Sequence, residues 1–290
     1  MTIDDYYAQL LDAECGWGVK CQVYNNQADC ESVFKPQLDL SLTQTNASIT
    51  AGRVAYHGDK ATACLDAIKA KLTCKFTDSL NSAAADPCNA AFEPKVDAGG
   101  QCYKDGECKS LACQLPSGCN PGTCCLGHCA AALAKLGESC TSLPCAKGAY
   151  CSAAELCAPL VPAGGVCDAA DACQPPTYCI APDPLAAQGT CEQLPDLGQP
   201  CDFFCDRWDN YCNFDPVTGN GVCAQVLAVG QSCSDTFECA YYATCSSAGS
   251  CAANIPGVGD PCVSLYDCLY GLYCDEFAGI CKVPLGQVCG

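Results

Sequence analysis

The 290-residue chain has two histidines, two tryptophans and a single methionine, Met1. It also has no Cys-x-x-Cys pair, although it contains 34 cysteines. Zinc ribbons, iron–sulfur ligands and thioredoxin-like redox sites depend on that pair, so its absence argues against thiolate metal chemistry. Gly-x-Ser-x-Gly, a phosphate loop and His-Glu-x-x-His are missing too, which removes the usual signatures of hydrolases and nucleotide enzymes. His57 stands where a helix is expected to begin, and His128 lies inside the densest cysteine cluster. Neither is placed beside the free thiolate that a Cys–His catalyst needs. The chain therefore reads as non-enzymatic, with no catalytic, metal or cofactor residue assigned. No apolar run approaches the length of a membrane span. The opening MTIDDYYAQL is acidic and lacks the apolar centre of a signal peptide. The expectation is that a natural leader has been removed, and that any membrane attachment runs through an anchor missing from this sequence. Basic residues are scarce, 14 against 32 acidic ones, for a net charge of −18. A polyanion would be repelled, so nucleic acid is set aside as a partner.

Cysteine, glycine and proline are what the chain has in quantity. Thirty-four cysteines in 290 residues exceed the level that marks a disulfide scaffold. Such usage implies an oxidising compartment: secreted, periplasmic or at a cell surface. The 26 glycines and 18 prolines suit a loop-rich chain.

Residues 1–95 differ from the rest. They hold six cysteines, Cys15, Cys21, Cys30, Cys64, Cys74 and Cys88, and show helical periodicity. Tyr6 and Leu10, and Tyr7, Leu11 and Cys15, recur at i, i+4, with Thr2 as the candidate N-cap ahead of two first-turn acids. A second helix is expected over GDKATACLDAIKAKLTC, with Ala61, Cys64 or Leu65, Ile68 and Leu72 on one stripe and Asp59 as its cap. QADCESVF suggests a short helix that Pro36 stops or kinks. A small helical domain pinned by about three disulfides follows, although six cysteines allow fifteen pairings and the spacing does not choose among them.

From Gly99 onward the chain repeats. Gly-x-x-Cys recurs with cysteines at Cys102, Cys140, Cys167, Cys201, Cys233, Cys262 and Cys289, a period of 27 to 38 residues that marks an array of modules. The first module, 96–134, holds Cys102, Cys108, Cys113, Cys119, Cys124, Cys125 and Cys129. The second, 135–161, has Cys140, Cys145, Cys151 and Cys157; the third, 162–195, has Cys167, Cys173, Cys179 and Cys191. The fourth, 196–227, has Cys201, Cys205, Cys212 and Cys223; the fifth, 228–256, has Cys233, Cys239, Cys245 and Cys251. The sixth, 257–290, has Cys262, Cys268, Cys274 and Cys281, and then Cys289. A small residue or glycine ahead of the fourth cysteine, as in GTC, GSC and GIC, suggests a hairpin with glycine near its turn.

About thirty residues cannot bury enough apolar surface to offset their chain entropy. A disulfide closing a loop of this size contributes roughly 2–4 kcal/mol, so two per module can stand in for a core. The fold class expected is therefore small and disulfide-rich: an α-helical N-terminal domain followed by a linear array of short cysteine-stapled hairpin modules. Modules in series predict a molecule more extended than a compact globule.

The spacing C-x5-C-x5-C-x11-C of residues 167–191, and the adjacent Cys124 and Cys125 followed by Gly127 and Cys129, resemble the Dickkopf N-terminal cysteine-rich domain. The opening is similar to that of EB modules. In animals this resemblance implies secreted antagonists of receptor signalling. The alanine-rich, lysine-poor composition and helical N-terminus look more like bacterial secreted proteins or lipoproteins with Dickkopf-like repeats. The resemblance implies self-contained modules; if the sixth is one, Cys262, Cys268, Cys274 and Cys281 are expected to pair among themselves, first to third and second to fourth.

Counting leaves Cys289 ambiguous. Self-contained modules leave Cys289 and one upstream cysteine over. If each module instead takes the next Gly-x-x-Cys as its last cysteine, every block is even, and parity favours Cys289 as the closing staple of the sixth module. Tyrosines precede the third cysteine as Tyr150, Tyr178, Tyr211 and Tyr273, and each ring is expected over its own module's disulfide. Asp202, Asp206 and Asp209 are the one candidate calcium cluster; their spacing matches no EF-hand loop and they read as solvated acids. Phe203, Phe204, Trp208, Phe214, Tyr241, Tyr242, Tyr266 and Tyr270 are more aromatics than such modules can bury, and they form the candidate protein-contact surface. The partner expected is a protein or a second copy of the chain. The expected role is structural, adhesive, filament- or matrix-forming or protein-binding, ahead of a secreted inhibitor or a thiolate metal-binding protein.

Overall fold

The computed structural model describes residues 1–75, 86–116, 118–119, 124–169, 171–180, 188–202, 204–215, 217–264, 267–275 and 277–289. Helix α1 (Ile3–Lys20) begins where the sequence sets its cap. Thr2 Oγ1 accepts from the Asp5 amide at 3.1 Å, and Asp5 reaches back to the Thr2 amide at 3.4 Å. This reciprocal box satisfies two of the amides a helix start leaves open. Helix α2 (Gln27–Thr50) is capped by Asn26 and runs through Pro36 for 24 residues, where the sequence suggested a stop or kink. A proline removes one helical hydrogen bond, a loss the turns on either side outweigh here. Helix α3 (Gly58–Lys69) starts from His57 without a side-chain cap. Asp59 thus sits in the first turn rather than at the cap, where its charge still suits the helix dipole.

Strands β1 (Val54–Tyr56) and β2 (Phe92–Pro94) pair antiparallel, with helix α4 (Asp86–Ala91) leading into the second. Three disulfides pin the helices: Cys15–Cys30 joins α1 to α2, Cys64–Cys88 joins α3 to α4, and Cys21–Cys74 ties the end of α1 to the chain beyond α3. Tyr6, Ala61, Leu65 and Ala91 form one apolar core here, and Val23, Tyr24 and Val33 anchor another.

All 34 cysteines pair, giving seventeen disulfides. The six modules share one wiring, first cysteine to third and second to the one that ends the hairpin, which is the fourth in modules two to six and the seventh in the first: Cys102–Cys113 with Cys108–Cys129 in the first, through to Cys262–Cys274 with Cys268–Cys281 in the sixth. The physical basis is a hairpin. Its two strands place the third cysteine directly opposite the one that ends the hairpin, as in Cys113↔Cys129, Cys151↔Cys157, Cys212↔Cys223 and Cys274↔Cys281. Residues opposite each other on an antiparallel pair point to the same face. The two sulphurs therefore descend side by side onto the N-terminal half of the module, one reaching the first cysteine and the other the second.

The glycine of Gly-x-x-Cys has a definite task in this wiring. Gly99, Gly137, Gly164, Gly198, Gly230 and Gly259 all take a left-handed φ between 78° and 88°, which only glycine adopts without strain. Each donates its amide to the carbonyl of the cysteine that ends its module's hairpin at 2.8 or 2.9 Å. Gly286, in the seventh copy, is not left-handed, so the Cys289 segment does not open as the modules do. Successive modules are joined by short parallel bridges onto the second cysteine, such as Ala134↔Cys145, Val161↔Cys173 and Leu227↔Cys239.

Each module closes its own disulfides in sequence, and the path the array takes is the departure from an extended chain. It turns back onto the helices it left, and modules one, four, five and six all touch the helical domain. Even so, the accessible surface is 15,269 Å², against about 11,700 Å² for a compact chain of this mass. The molecule is a circuit of small local cores rather than a body around one large core.

Candidate interaction surface

Two seats on the helical domain receive the array. The first is the α1–α2 turn. Trp17 donates its indole N–H to the Thr73 carbonyl at 2.7 Å and presents its ring edge-on to Trp208 of the fourth module, 6.1 Å between centroids. The Trp208 amide donates to the Cys74 carbonyl at 2.9 Å. Gln22, itself left-handed at φ 60° just past α1, serves the fifth module twice: its carbonyl accepts from the Tyr241 amide at 3.1 Å and its side-chain carbonyl from the Tyr242 hydroxyl at 3.2 Å. Tyr24 then donates its hydroxyl to the Tyr270 carbonyl of the sixth module at 2.5 Å. Gly271 follows with φ 87°, and a Cβ there would lie 2.9 Å from Val33. Both the conformation and the close approach call for glycine.

Trp208 is the hub of this seat. Tyr241 and Tyr270 each lie 5.6 Å from it, tilted or edge-on, in the geometry that aromatic quadrupoles favour. Of the eight aromatics proposed from sequence as a contact surface, the fold brings Trp208, Tyr241 and Tyr270 together and buries Tyr242 in the core of the fifth module. Outer faces remain open: Tyr241 is 47% exposed and Tyr270 44%. Phe204 and Phe214 are exposed. Phe203 and Tyr266 lie outside the described residues. Phe237, 83% exposed in a turn before Cys239, and Phe277, fully exposed at a hairpin tip, were missed. Each is a single aromatic in a loop with no periodic neighbour.

Three acids of the fourth module, Asp196, Asp206 and Asp209, are paired with cations. Lys75 Nζ lies 2.6 Å from Asp196 and 3.9 Å from the buried Asp206. Arg207 grips Asp209 through two bonds of 2.8 Å. The hydrogen bond from Lys75 holds the Asp196 carboxyl below its usual range, and the Asp209 carboxylate pushes Arg207 up. Only Asp202 of the three candidate calcium ligands stays exposed. Elsewhere three sulphurs of a module lie within 4.8 Å of one another, as do Cys102, Cys108 and Cys113. Such clusters are two crossing disulfides, and a sulphur in an S–S bond is not the thiolate a metal needs.

The second seat is the far end of α2. Glu107 of the first module is fully buried there. Its carboxylate accepts from Ser48 Oγ at 2.5 Å, Arg53 Nε at 2.9 Å and the Tyr103 amide at 2.8 Å. Burial alone would raise its pKa; the Ser48, Tyr103 and Arg53 bonds together hold it below the ordinary value. Arg53 also lies over the Tyr103 ring, 5.0 Å from its centroid. A cavity of about 50 Å³ opens beside this cluster, lined by Gln44, Ser48, Tyr103, Lys104, Glu107 and Cys289.

Cys289 is where the sequence count is corrected. It does not bond Cys268, Cys274 or Cys281, which are consumed within the sixth module. It bonds Cys124 of the first module, 165 residues away. The two cysteines left over by self-contained modules are thus each other's partners, while Cys125 closes a local loop with Cys119.

The expected tyrosine packing is also corrected. Tyr150 is buried, yet not over its own disulfide: it packs among Cys167, Ala172, Cys173 and Cys191 of the next module and donates to Asp168 at 2.7 Å. Tyr211 likewise joins the core of the fifth module. Tyr150 and Tyr211 thus serve as pins between consecutive modules, whereas Tyr273 is exposed.

No protein-family model, curated protein or solved structure matches the chain. Among the described residues, no helix is long and apolar enough to cross a membrane. The abundance of disulfides suggests an oxidising, extracellular setting.

Proposed function

We propose that this chain is a non-enzymatic secreted or cell-surface protein whose work is structural or adhesive, done by binding protein, including further copies of itself. The observation that supports this reading is the placing of aromatic side chains on a cross-linked frame. Phe204, Phe237 and Phe277 project from turns held by disulfides, and Tyr241 and Tyr270 leave one face open beside Trp208. Aromatics on a rigid support bring large contact area with little conformational freedom left to lose, which is what binding surfaces favour. The net charge of −18 keeps such a surface soluble and directs it toward protein rather than nucleic acid. The spacing that resembles Dickkopf-like repeats of secreted proteins agrees with the setting.

Sedimentation across a wide range of protein concentration tests the reading. Reversible association is expected, weakened by Phe237→Ser and Phe277→Ser without loss of thermal stability. A chain that stays monomeric throughout, and captures one tight partner in one-to-one ratio, would instead support the secreted-inhibitor alternative.

A further inference from the structure

Sixteen of the seventeen disulfides close loops with separations between 6 and 53 residues, and Cys124–Cys289 spans 165. It is also the one disulfide that joins two modules to each other: every other bond lies within the helical domain or within a single module. Breaking it leaves both disulfides of the first module's hairpin and both of the sixth intact. Both cysteines are half-buried. The segment 283–289 that delivers Cys289 has no regular structure, with Leu285 and Val288 exposed, and Gln44 of α2 holds it by a bond to the Gln287 carbonyl. From Lys282, the last strand residue, seven residues reach roughly 24 Å when extended.

We propose that Cys289 of one molecule bonds Cys124 of another, linking copies of this chain head to tail. The proposal rests on the self-associating reading above and gives it a site and a partner. The groups that receive the segment in one chain, Gln44 and the cleft by Lys104 and Tyr103, are presented identically by every copy. A contact satisfied within one chain is therefore satisfied equally between two, as in domain swapping. Such a contact joins unlike surfaces, so it propagates into chains unless a rotation closes it into a ring.

The chemistry is thiol–disulfide exchange and needs no net oxidant. A small thiolate attacks Cys124 Sγ, forming a mixed disulfide and releasing Cys289 as a thiolate. Lys104 lines the same cavity as Cys289, and an ammonium beside a sulphur stabilises its thiolate; the Glu107 charge there is matched by Arg53. The Cys289 thiolate of a second molecule then attacks the mixed disulfide on Cys124 of the first and expels the small thiolate. One S–S bond is broken for each formed, and the thiol is regenerated.

An equal mixture of isotopically light and heavy protein, incubated with glutathione and quenched with an alkylating agent, tests this. The peptides carrying Cys124 and Cys289 should become linked light-to-heavy, approaching half of all such linkages as the protein concentration rises. A ladder should appear on non-reducing gels, and it should be absent from the double variant Cys124→Ser, Cys289→Ser, which leaves no unpaired thiol and keeps every module disulfide. Linkages that remain light-to-light and heavy-to-heavy, or a ladder that persists in the double variant, would overturn the proposal. Sedimentation of the double variant separates this from the broader reading. Association of that variant alongside unmixed linkages sinks the exchange alone, whereas absence of both sinks the two together.

Discussion

The helical domain and the modules solve the same problem with different materials. In the helices, Tyr6, Ala61, Leu65 and Ala91 bring apolar surface together, with Tyr7, Leu10, Ile68 and Phe92 around them. In the first module the buried cluster is Cys102, Cys108, Cys113 and Cys129, with Val96 beside it; in the sixth it is Cys268, Cys274 and Cys281. The difference follows from length. A helix presents an apolar residue to the same face every turn, and three helices can cover one another. A module of about thirty residues with a three-residue strand on each side of a turn has no second layer to cover it. Sulphur–sulphur bonds act on the unfolded chain instead, each closing a loop of 11 to 21 residues and contributing about 3 kcal/mol by the chain-entropy account.

Reduction of every disulfide should therefore separate the two regions most sharply. Loss of the twelve hairpin bonds, two per module at about 3 kcal/mol each, leaves nothing of comparable size behind. The modules should lose amide protection throughout, while α1 and α3 keep part of their helical circular dichroism through their caps and apolar stripes. Protected module amides under full reduction would show that a core other than sulphur holds them.

What could be read from the sequence follows the same division. Spacing that recurs, such as Gly-x-x-Cys and the three cysteines after it, exposes the modules because each repeat is a local event. Thr2 with Asp5, and the Tyr6–Leu10 stripe, mark α1 for the same reason. The Cys124–Cys289 bond leaves no such trace: parity shows that two cysteines are left over, but their meeting depends on the array turning back. That return is written in single residues, Trp17, Gln22, Tyr24 and Trp208, none of which repeats. Glu107 was illegible too, because an acid before a cysteine looks like a solvated one until Ser48 and Arg53 close over it. Among the contact aromatics, composition indicated which modules were rich, and only the fold shows which faces stay open.

The two seats offer a finer comparison, charge against ring. Glu107→Ala leaves Arg53, 15% exposed, without its carboxylate, a loss expected to destabilise by about 3 kcal/mol. The sign of the pH effect follows from the direction of the shift. The folded pKa of Glu107 lies below its ordinary value of 4.5, so its contribution is present above that value and is lost as pH falls through the lowered one. Acid titration of thermal stability should therefore flatten below pH 4.5 in the variant. A variant that matches the parent at every pH would mean the pair contributes nothing net. At the other seat, Trp208→Ala removes the hub shared by Trp17, Tyr241 and Tyr270. Because the ring is only half-buried, about 2 kcal/mol is expected rather than the full cost of a core aromatic. Chemical denaturation should show it, with near-ultraviolet circular dichroism reporting the changed aromatic packing.

The smallest effect asks whether modules are coupled to their neighbours at all. Tyr150 of the second module is buried in the third and donates to Asp168, so Tyr150→Phe keeps the ring and removes one bond, worth about 1 kcal/mol. Burial first, and then the Asp168 carboxylate, push its phenol up to about 12 from 10.0. Tyr6 in the helical domain is pushed to about 12 as well, mainly by burial. For both, the folded state holds the neutral phenol, so their contribution is complete below pH 10 and is lost as pH rises from 10 toward 12. Spectrophotometric titration should resolve these two from the exposed tyrosines, and Tyr150→Phe should remove one late phenol while leaving that of Tyr6 unmoved. If amide exchange in the third module is unchanged by the substitution, the modules are strung together rather than coupled. If protection falls there as well as in the second, one hydroxyl and one ring carry order from each sulphur core to the next.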